Sequence, residues 1–365
     1  MPSQTMTISS LSLSQFRNHA DTRIAHADRF NVLTGLNGAG KTNILEAISL
    51  LAPGRGLRRA TFAEMASQAG PGGFAIAGEL ADGADVIGTG CSADAPSRRQ
   101  VRINGATHSA QILGEWLSII WLTPAMDRLF LEAASGRRRF LDRLVLALHP
   151  GHAQAATRYE AAMRERNRLL GDERPFDPAW LDALEARMVD YGSALYTARQ
   201  STISALEVQL ERAETGSFAR PALALIGGAF DDREMMASRW RSDRGRDRAA
   251  GRTLFGPHRG DLSVELRQKR QAAALCSTGE QKAMLIAIIL AHADLVAQRG
   301  TTPLILLLAE VADHLDTSRR AALYEQLAAR TGQVWMTGTD SALFDAVPKV
   351  GRRDFKVENG LVIEN

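Results

Sequence analysis

The sequence has few cysteines, few aromatic residues and no long hydrophobic run. Its two cysteines, Cys91 and Cys276, lie far apart and form no CxxC pair, so neither a disulfide scaffold nor a zinc site is indicated and a reducing compartment fits best. The longest apolar run, residues 283–291, is well short of the roughly 18 residues that a membrane span needs. Because no basic segment followed by a long apolar stretch opens the chain, we expect a cytoplasmic protein without a membrane partner.

An excess of charge of one sign is also lacking. Lys and Arg total 44 against 41 acidic residues, so the formal net charge is only +3 over 365 residues. A sequence pI of about 9.1 leaves nucleic acid open as a partner, but any basic surface must be local. Aromatic residues make up 6% of the chain, and their scarcity between basic residues argues against stacking on single-stranded bases. The remaining composition is that of an ordinary globular protein of about two domains.

The order of predicted elements indicates an α/β domain built from both ends of the chain, with a helical domain inserted between them. Strands are expected at residues 8–13, 30–33, 74–80, 100–103, 261–266, 303–308 and 334–336, and a hairpin at 355–364. Between about 126 and 248 the chain is rich in Ala, Leu, Arg and Glu, which predicts helices. We therefore expect a head domain of residues 1–125 plus 250–365 and a helical domain of residues 126–249.

A glycine-rich loop follows the strand predicted at 30–33. It reads GLNGAGKT and is followed by a predicted helix at 43–51, which is the strand–GxxxxGK[ST]–helix arrangement of a P-loop. In such a loop, backbone N–H groups and a helix N-terminus surround phosphate oxygens, while Lys41 reaches the β- and γ-phosphates of ATP and the Thr42 hydroxyl binds Mg²⁺. The candidate nucleotide-binding residues are Gly35, Leu36, Asn37, Gly38, Ala39, Gly40, Lys41 and Thr42.

A P-loop enzyme also needs an acidic residue at the end of a neighbouring strand. The aliphatic run at 304–308 is followed by Ala309 and Glu310, and Glu310 is well placed to orient an attacking water as the catalytic residue. A Mg²⁺-binding Asp is expected where Ala309 stands, and a methyl group cannot bind a hydrated cation. ATP binding and Mg²⁺-dependent hydrolysis must therefore be considered separately.

The segment Cys276-Ser277-Thr278-Gly279-Glu280-Gln281 opens a predicted helix at 279–298. One interpretation is structural, because Ser277 or Thr278 is a typical N-cap and Glu280 or Gln281 would complete a capping box. The functional interpretation is that this helix start binds the γ-phosphate of a nucleotide held by another subunit.

Together these three motifs resemble those of the ABC-type ATPase heads of the chromosome-maintenance group and, within that group, the RecF family of recombination mediators. The matching stretches are GLNGAGKT, STGEQ, LILLLAE followed by Leu315-Asp316, and the segments at 14–18, 136–142, 256–261 and 337–340. The resemblance implies an ABC-type head with an inserted helical arm, in which Ser277 contacts the ATP of the other subunit. It also implies that Asp316 lies in a loop crossing the dimer interface and that Asp340 lies near the γ-phosphate.

By the same resemblance, the function would be that of a slow, ATP-dependent DNA-binding ATPase in replication and repair. It would dimerise with ATP at single-strand/double-strand junctions or gapped duplex DNA, act with RecR-type and RecO-type partners, and help to load RecA. Relatives usually carry Asp where this chain has Ala309, which leaves open an ATP-gated DNA-binding scaffold with little hydrolysis. A transporter motor fits less well, because a long helical segment separates Thr42 from Ser277.

Two basic segments have competing interpretations. Arg137, Arg138 and Arg139 begin a predicted helix, where a structural role, as a solvated helix face or in internal ion pairs, is favoured over DNA contact. Four arginines crowd residues 241–248 together with two aspartates, where DNA contact and a linker are equally compatible with the pattern.

Overall fold

The computed structural model describes residues 7–80, 83–172, 178–212, 218–227, 232–299 and 302–364. These residues divide into two units. The first unit contains the residues up to 127, residues 218–219 and those from 285 onward, and the second contains the remainder. No helix of the described residues is long and apolar enough to cross a bilayer.

The first unit contains an antiparallel sheet of six strands. These are β1 (Ile8–Phe16), β2 (His19–Ile24), β4 (Gly73–Leu80), β5 (Asp85–Ser92), β6 (Gln100–Ile103) and β7 (Ala106–His108). Their order is β2-β1-β4-β5-β6-β7. Burial alternates along β1 and β4, because one face of an antiparallel sheet covers the core while the other meets solvent.

A second six-stranded sheet of the same unit is almost entirely parallel. It contains β3 (Phe30–Thr34), β8 (Ser118–Leu122), β12 (Leu304–Ala309), β13 (Gln333–Gly338), β14 (Arg352–Glu358) and β15 (Leu361–Glu364). The order is β15-β14-β3-β13-β12-β8, with only β15 antiparallel to its neighbour. β8, β12 and β13 are buried throughout, as expected of aliphatic strands covered on both faces. The helices here are α1 (Lys41–Ser49), α2 (Phe62–Met65), α3 (Leu113–Trp116) and α10 (Thr317–Ala328).

The second unit is mainly helical. Its helices are α4 (Ala134–Leu148), α5 (His152–Gly171), α6 (Pro178–Arg212), α7 (Arg233–Ser242) and α8 (Arg244–Ala250), and α9 (Thr278–Arg299) begins in it and continues into the first unit. A small antiparallel sheet is formed by β9 (Pro221–Ile226), β10 (Asp261–Leu266) and β11 (Gln271–Ala272). The core of this unit includes Tyr159, Met188 and Trp240.

The predicted α/β class is confirmed, and each strand expected from the sequence is present within two or three residues of its expected bounds. Two expectations differ from the structure. The region 126–248 is not helical throughout, because β9 lies within it. Residues 250–284 belong to the helical unit and not to the head, because β10 pairs with β9 along its whole length.

Candidate functional site

Three neighbouring parallel strands end at one edge of the second sheet. β13 pairs with β3 on one side and with β12 on the other, in parallel. The P-loop follows β3, Asp340 lies two residues after β13, and Glu310 directly follows β12. Carboxyl ends of adjacent parallel strands form the usual ligand-binding edge of an open α/β sheet. The structure therefore brings the P-loop, Glu310 and Asp340 to the same edge.

The P-loop backbone leaves a row of N–H groups available for a ligand. Within the described residues, the amides of Asn37, Gly38, Gly40, Lys41 and Thr42 make no hydrogen bond. The loop is tightly held at its start, because a Cβ on Gly35 would lie 2.2 Å from the Val357 carbonyl oxygen. Gly35 also has a φ of +146°, a conformation that glycine adopts most readily. Several unpaired donors beside the positive end of α1 form a site for phosphate oxygens.

Lys41 is buried and packs against the P-loop. Its side chain is 4% exposed, and Nζ donates to the carbonyl oxygens of Gly35 at 2.6 Å and Leu36 at 2.9 Å. Loss of hydration lowers the pKa of Lys41, and the negative charges of Glu310 and Asp313 oppose that shift. Both carboxylates are therefore close enough to act electrostatically on the ammonium group.

Glu310 is held in an unusual backbone conformation. Its φ is +54°, in the left-handed region that costs a non-glycine residue about 1 kcal/mol or more. Its N–H donates to the carbonyl oxygen of Thr337 at 3.2 Å and to the Thr337 hydroxyl at 3.1 Å. Thr337 lies on β13 and is 1% exposed, so it fixes the backbone from which the Glu310 carboxylate projects. Thr337 opens the segment 337–340 that carries part of the family resemblance, but its contact with Glu310 has no signal in the sequence.

Ala309 ends β12 and is 1% exposed. Its methyl group offers no oxygen to a cation. The carboxylates whose charges act on Lys41 are those of Glu310 and of Asp313, in the 3₁₀ helix Ala312–His314. Asp313 accepts a hydrogen bond of 3.4 Å from the hydroxyl of Thr339, which follows β13. The half-buried Thr42 provides a hydroxyl in the first turn of α1. These oxygens fit a Mg²⁺ ion held mainly by one hydroxyl, nucleotide phosphates and water.

Two further aspartates that the sequence singled out act as helix caps. Asp340 accepts a hydrogen bond of 3.0 Å from the N–H of Ala342 and begins the 3₁₀ helix Ser341–Phe344. Asp316 is the N-cap of α10 and accepts from the N–H of Arg319 at 2.9 Å. Both side chains are largely exposed to solvent, and the second oxygen of Asp316 lies 3.6 Å from Nε of Arg319.

Ser277 lies in the second unit at the start of α9. Its N–H and hydroxyl donate to Glu280 Oε2 at 2.9 and 3.0 Å, and its oxygen accepts from the Glu280 N–H at 3.3 Å. This is the capping box that the structural interpretation expected. The carboxylate also pairs with Lys269 at 2.5 Å, and these contacts lower the pKa of Glu280 to about 2. Ser277 is exposed to solvent while its side chain caps the helix.

The basic segment at 137–139 and the segment at 256–261 pack together within the second unit. Arg137 forms a two-pronged ion pair with Asp261, at 2.9 and 2.6 Å, and Arg138 donates to the carbonyl of Gly260 at 2.7 Å. The structural interpretation favoured for this segment is confirmed for these two arginines. Arg139 is exposed.

His258, in the same segment, is structural. Its Nε2–H donates to the Thr253 carbonyl at 3.0 Å, and its Nδ1 accepts from the Tyr159 hydroxyl at 2.8 Å. Burial lowers the pKa of His258 to about 4, which keeps the ring neutral in this arrangement near pH 7.

Within residues 241–248, the arginine with the closest ion pairs is Arg244. It binds Asp182 and Glu185, in each case at 2.6 Å, whereas Arg246 and Arg248 are exposed. A network that the sequence analysis missed lies beside it. Arg166 is fully buried and pairs with Glu185 at 2.9 Å and Asp247 at 2.7 Å.

Comparison with known proteins places this site in a family. The family described as RecF/RecN/SMC N terminal domain matches residues 7–359. A DNA replication and repair protein RecF of Mesorhizobium japonicum is 50% identical over 378 aligned residues, covering 99% of this chain and 98% of the relative. A RecF of Rhizobium rhizogenes is 48% identical, covering 93% and 94%.

Solved structures share the fold. A recombination mediator protein RecF-ATP of the RecFOR pathway superimposes with a TM-score of 0.85 at 22% identity, covering 99% of this chain and 98% of the other. An Smc head domain from Pyrococcus furiosus superimposes with a TM-score of 0.55 at 15% identity, covering 99% and 96%. The chain has the ATPase-head fold and belongs to the RecF family of DNA replication and repair proteins.

Proposed function

We propose that this protein is an ATP-dependent DNA-binding recombination mediator. It binds ATP at the P-loop, dimerises on gapped duplex DNA or at single-strand/double-strand junctions, and helps to load RecA together with RecR-type and RecO-type partners. Cytoplasmic localisation is part of the proposal, since bacterial DNA is replicated and repaired in that compartment.

The observation that carries the proposal is the row of unpaired amides between residues 37 and 42, beside the ammonium group of Lys41. A triphosphate carries several negative charges within a few ångströms, and it satisfies these donors while bringing its own charge to Lys41. Nζ of Lys41 donates to two carbonyls of the loop. When ATP binds, the Lys41 ammonium would donate to phosphate oxygens in place of these neutral carbonyls. Hydrogen bonds between two charged groups are stronger.

Hydrolysis would use Glu310 and a magnesium ion. Bound Mg²⁺ neutralises charge that develops on the phosphates, and Thr42 is the residue that would hold it. Glu310, fixed through its N–H by Thr337, would accept a hydrogen bond from the attacking water and orient it. Ser277 would contact the ATP of the second copy and Asp340 would lie near the γ-phosphate, as the family resemblance implies.

A second candidate function follows from Ala309. Because the end of β12 presents a methyl group where a carboxylate is expected, ATP could close the dimer while hydrolysis hardly reopens it. The protein would then be an ATP-gated DNA-binding scaffold. Single-turnover hydrolysis separates this function from that of an ATPase switch.

The central test is sedimentation of the purified protein with ATP and Mg²⁺, with and without gapped duplex DNA. We expect an ATP-dependent dimer that binds gapped DNA more tightly than the monomer does. Lys41→Ala should abolish the dimer and weaken DNA binding, because the phosphates at the dimer interface lose their counter-charge. Lys349→Ala removes an equal charge from an exposed lysine and should change neither. A dimer that forms equally well without ATP, or with Lys41→Ala, would contradict the proposal.

A further inference from the structure

The carbonyl groups of the P-loop are tied to two other segments of the first unit. The carbonyl oxygen of Ala39 accepts from the side-chain amide of Asn18 at 3.0 Å and from the N–H of Gly360 at 2.9 Å. The carbonyl oxygen of Gly40 lies 3.1 Å from Nε2 of His19. Asn18 lies in the turn between β1 and β2, His19 is the first residue of β2, and Gly360 belongs to the turn between β14 and β15.

His19 is completely buried between these segments. Its Nδ1 lies 2.8 Å from the carbonyl oxygen of Gly360 and 3.1 Å from the hydroxyl of Thr22. The same hydroxyl lies 2.9 Å from the Gly360 carbonyl. Each ring nitrogen therefore faces one carbonyl oxygen, and a neutral ring can donate to only one of them.

The imidazole also fills the space where residue 40 would otherwise have a side chain. A Cβ on Gly40 would lie 2.8 Å from Nε2 of His19, and Gly40 has a φ of +116°. The Gly40 carbonyl also accepts from the amides of Asn43 and Ile44, which begin α1. His19 thus contacts the loop at the point where it becomes helix.

The direction of a carbonyl decides the direction of the next amide. In a planar trans peptide, the C=O of one residue and the N–H of the following residue point to opposite sides. Anchoring the Ala39 carbonyl therefore aims the Gly40 N–H away from Asn18, and anchoring the Gly40 carbonyl aims the Lys41 N–H away from His19. Both of these amides are among the unpaired donors of the loop.

We propose that His19 is a positioning residue of the nucleotide site: its Nε2–H holds the Gly40 carbonyl and so aims the Lys41 N–H at a bound phosphate. Nδ1 then accepts from the hydroxyl of Thr22, 3.1 Å away, and takes no part in aiming the Lys41 N–H. This inference rests on the proposed function, because the phosphate is that of the nucleotide.

Two substitutions separate the roles of the two ring nitrogens of His19. The amide nitrogen of Gln can take the place of Nε2, and the amide oxygen of Asn can take the place of Nδ1. His19→Gln should keep the affinity for a fluorescent ATP analogue within about 3-fold of the wild type, whereas His19→Asn should weaken it by about 10-fold, the loss of roughly one net hydrogen bond. Urea unfolding of both variants measures the structural contribution, and His26→Gln, at a largely exposed histidine, is the control.

If both variants lose ATP affinity equally, in proportion to their loss of stability in urea, His19 is only part of the fold. Full ATP affinity in both variants would also overturn the proposal. If the His19 variants do not fold, Asn18→Ala replaces them, because Asn18 is exposed and anchors the neighbouring peptide. It should weaken binding by about 3-fold or more, and unchanged affinity would again overturn the idea. If the wild type binds no ATP, the proposed function itself fails, independently of His19.

Discussion

Replacing Ala309 with Asp tests how the site handles metal and charge. Ala309 is the last residue of β12, pairs with Thr337 on β13 and precedes Glu310. A carboxylate here would lie at the sheet edge that carries the P-loop. The positive charge of Lys41 would partly compensate the negative charge of the new carboxylate. Ala309→Asp should therefore raise ATP hydrolysis while leaving ATP affinity within a few-fold. The affinity depends on loop amides and on Lys41, which the substitution does not touch.

The expected size follows from one electrostatic contact. Removing a single group that stabilises transition-state charge costs about 10²–10³ in kcat, or roughly 3–4 kcal/mol, so supplying one should gain a comparable factor. The negative charges of Glu310 and Asp313, which already act on Lys41, repel a further carboxylate and reduce that gain. We therefore expect a rise of about 10- to 1000-fold. Because residue 309 is 1% exposed, burying the new carboxylate should also lower the free energy of unfolding by about 1–3 kcal/mol.

The assay is single-turnover hydrolysis at saturating ATP, with Mg²⁺ titrated for each variant. Ala309→Asn adds nearly the same volume without the charge and is the matched control, which should show no gain. Equal rates and equal Mg²⁺ dependence for wild type and Ala309→Asp would mean that another group already holds the metal, and Glu310 and Asp313 would be substituted next. A large fall in rate with Asp, but not with Asn, would refute the reasoning, because the site would then be built around a neutral residue.

Two further substitutions test the second unit. Ser277→Arg should block ATP-dependent dimerisation in sedimentation while leaving ATP binding by the monomer nearly intact, whereas Ser277→Ala, which removes only the cap, should still dimerise. Equal loss of monomer binding and dimerisation in Ser277→Arg would restrict Ser277 to its own subunit's site or to the fold. Arg166→Met should lower the free energy of unfolding in urea by about 3–5 kcal/mol, because Glu185 and Asp247 lose a fully buried partner. Arg168→Met, at an exposed arginine paired within one helical turn, should leave the free energy of unfolding nearly unchanged. Equal effects of the two substitutions would contradict a structural role for the buried network.

The functional edge of the first unit could be predicted because its signals are local or follow from topology. Gly35–Thr42 carries the loop chemistry within eight residues, and the aliphatic strand before Glu310 is recognisable by itself. Once the strands are parallel neighbours, their carboxyl ends must meet. The structure supplies that step through the pairing of β13 with both β3 and β12, which brings Glu310 and the P-loop to the same edge.

The residues that support this edge could not be predicted in the same way. His19 contacts Gly360 across 341 positions of the chain, and Thr337 contacts Glu310 across 27 positions. Neither partner lies in a motif whose spacing is fixed by one helix or one turn, so no periodicity reveals the pair. Arg166 is the same case in the second unit, where its buried partner Asp247 is 81 positions away.

Ser277 and Asp340 show a different limit. Both were singled out as phosphate-side residues, and in the structure each caps a helix through its side-chain oxygen. A helix cap and a phosphate site require the same local features, namely a short polar residue at the start of a helix with free N–H groups behind it. The sequence therefore cannot separate the two roles. A side chain that caps a helix can also bind phosphate, because both residues are exposed. Both Ser277→Arg and Ser277→Ala remove the cap, but only Arg also fills the space in front of the helix. A loss of dimerisation with Arg and not with Ala therefore distinguishes a cap that also binds from a cap alone.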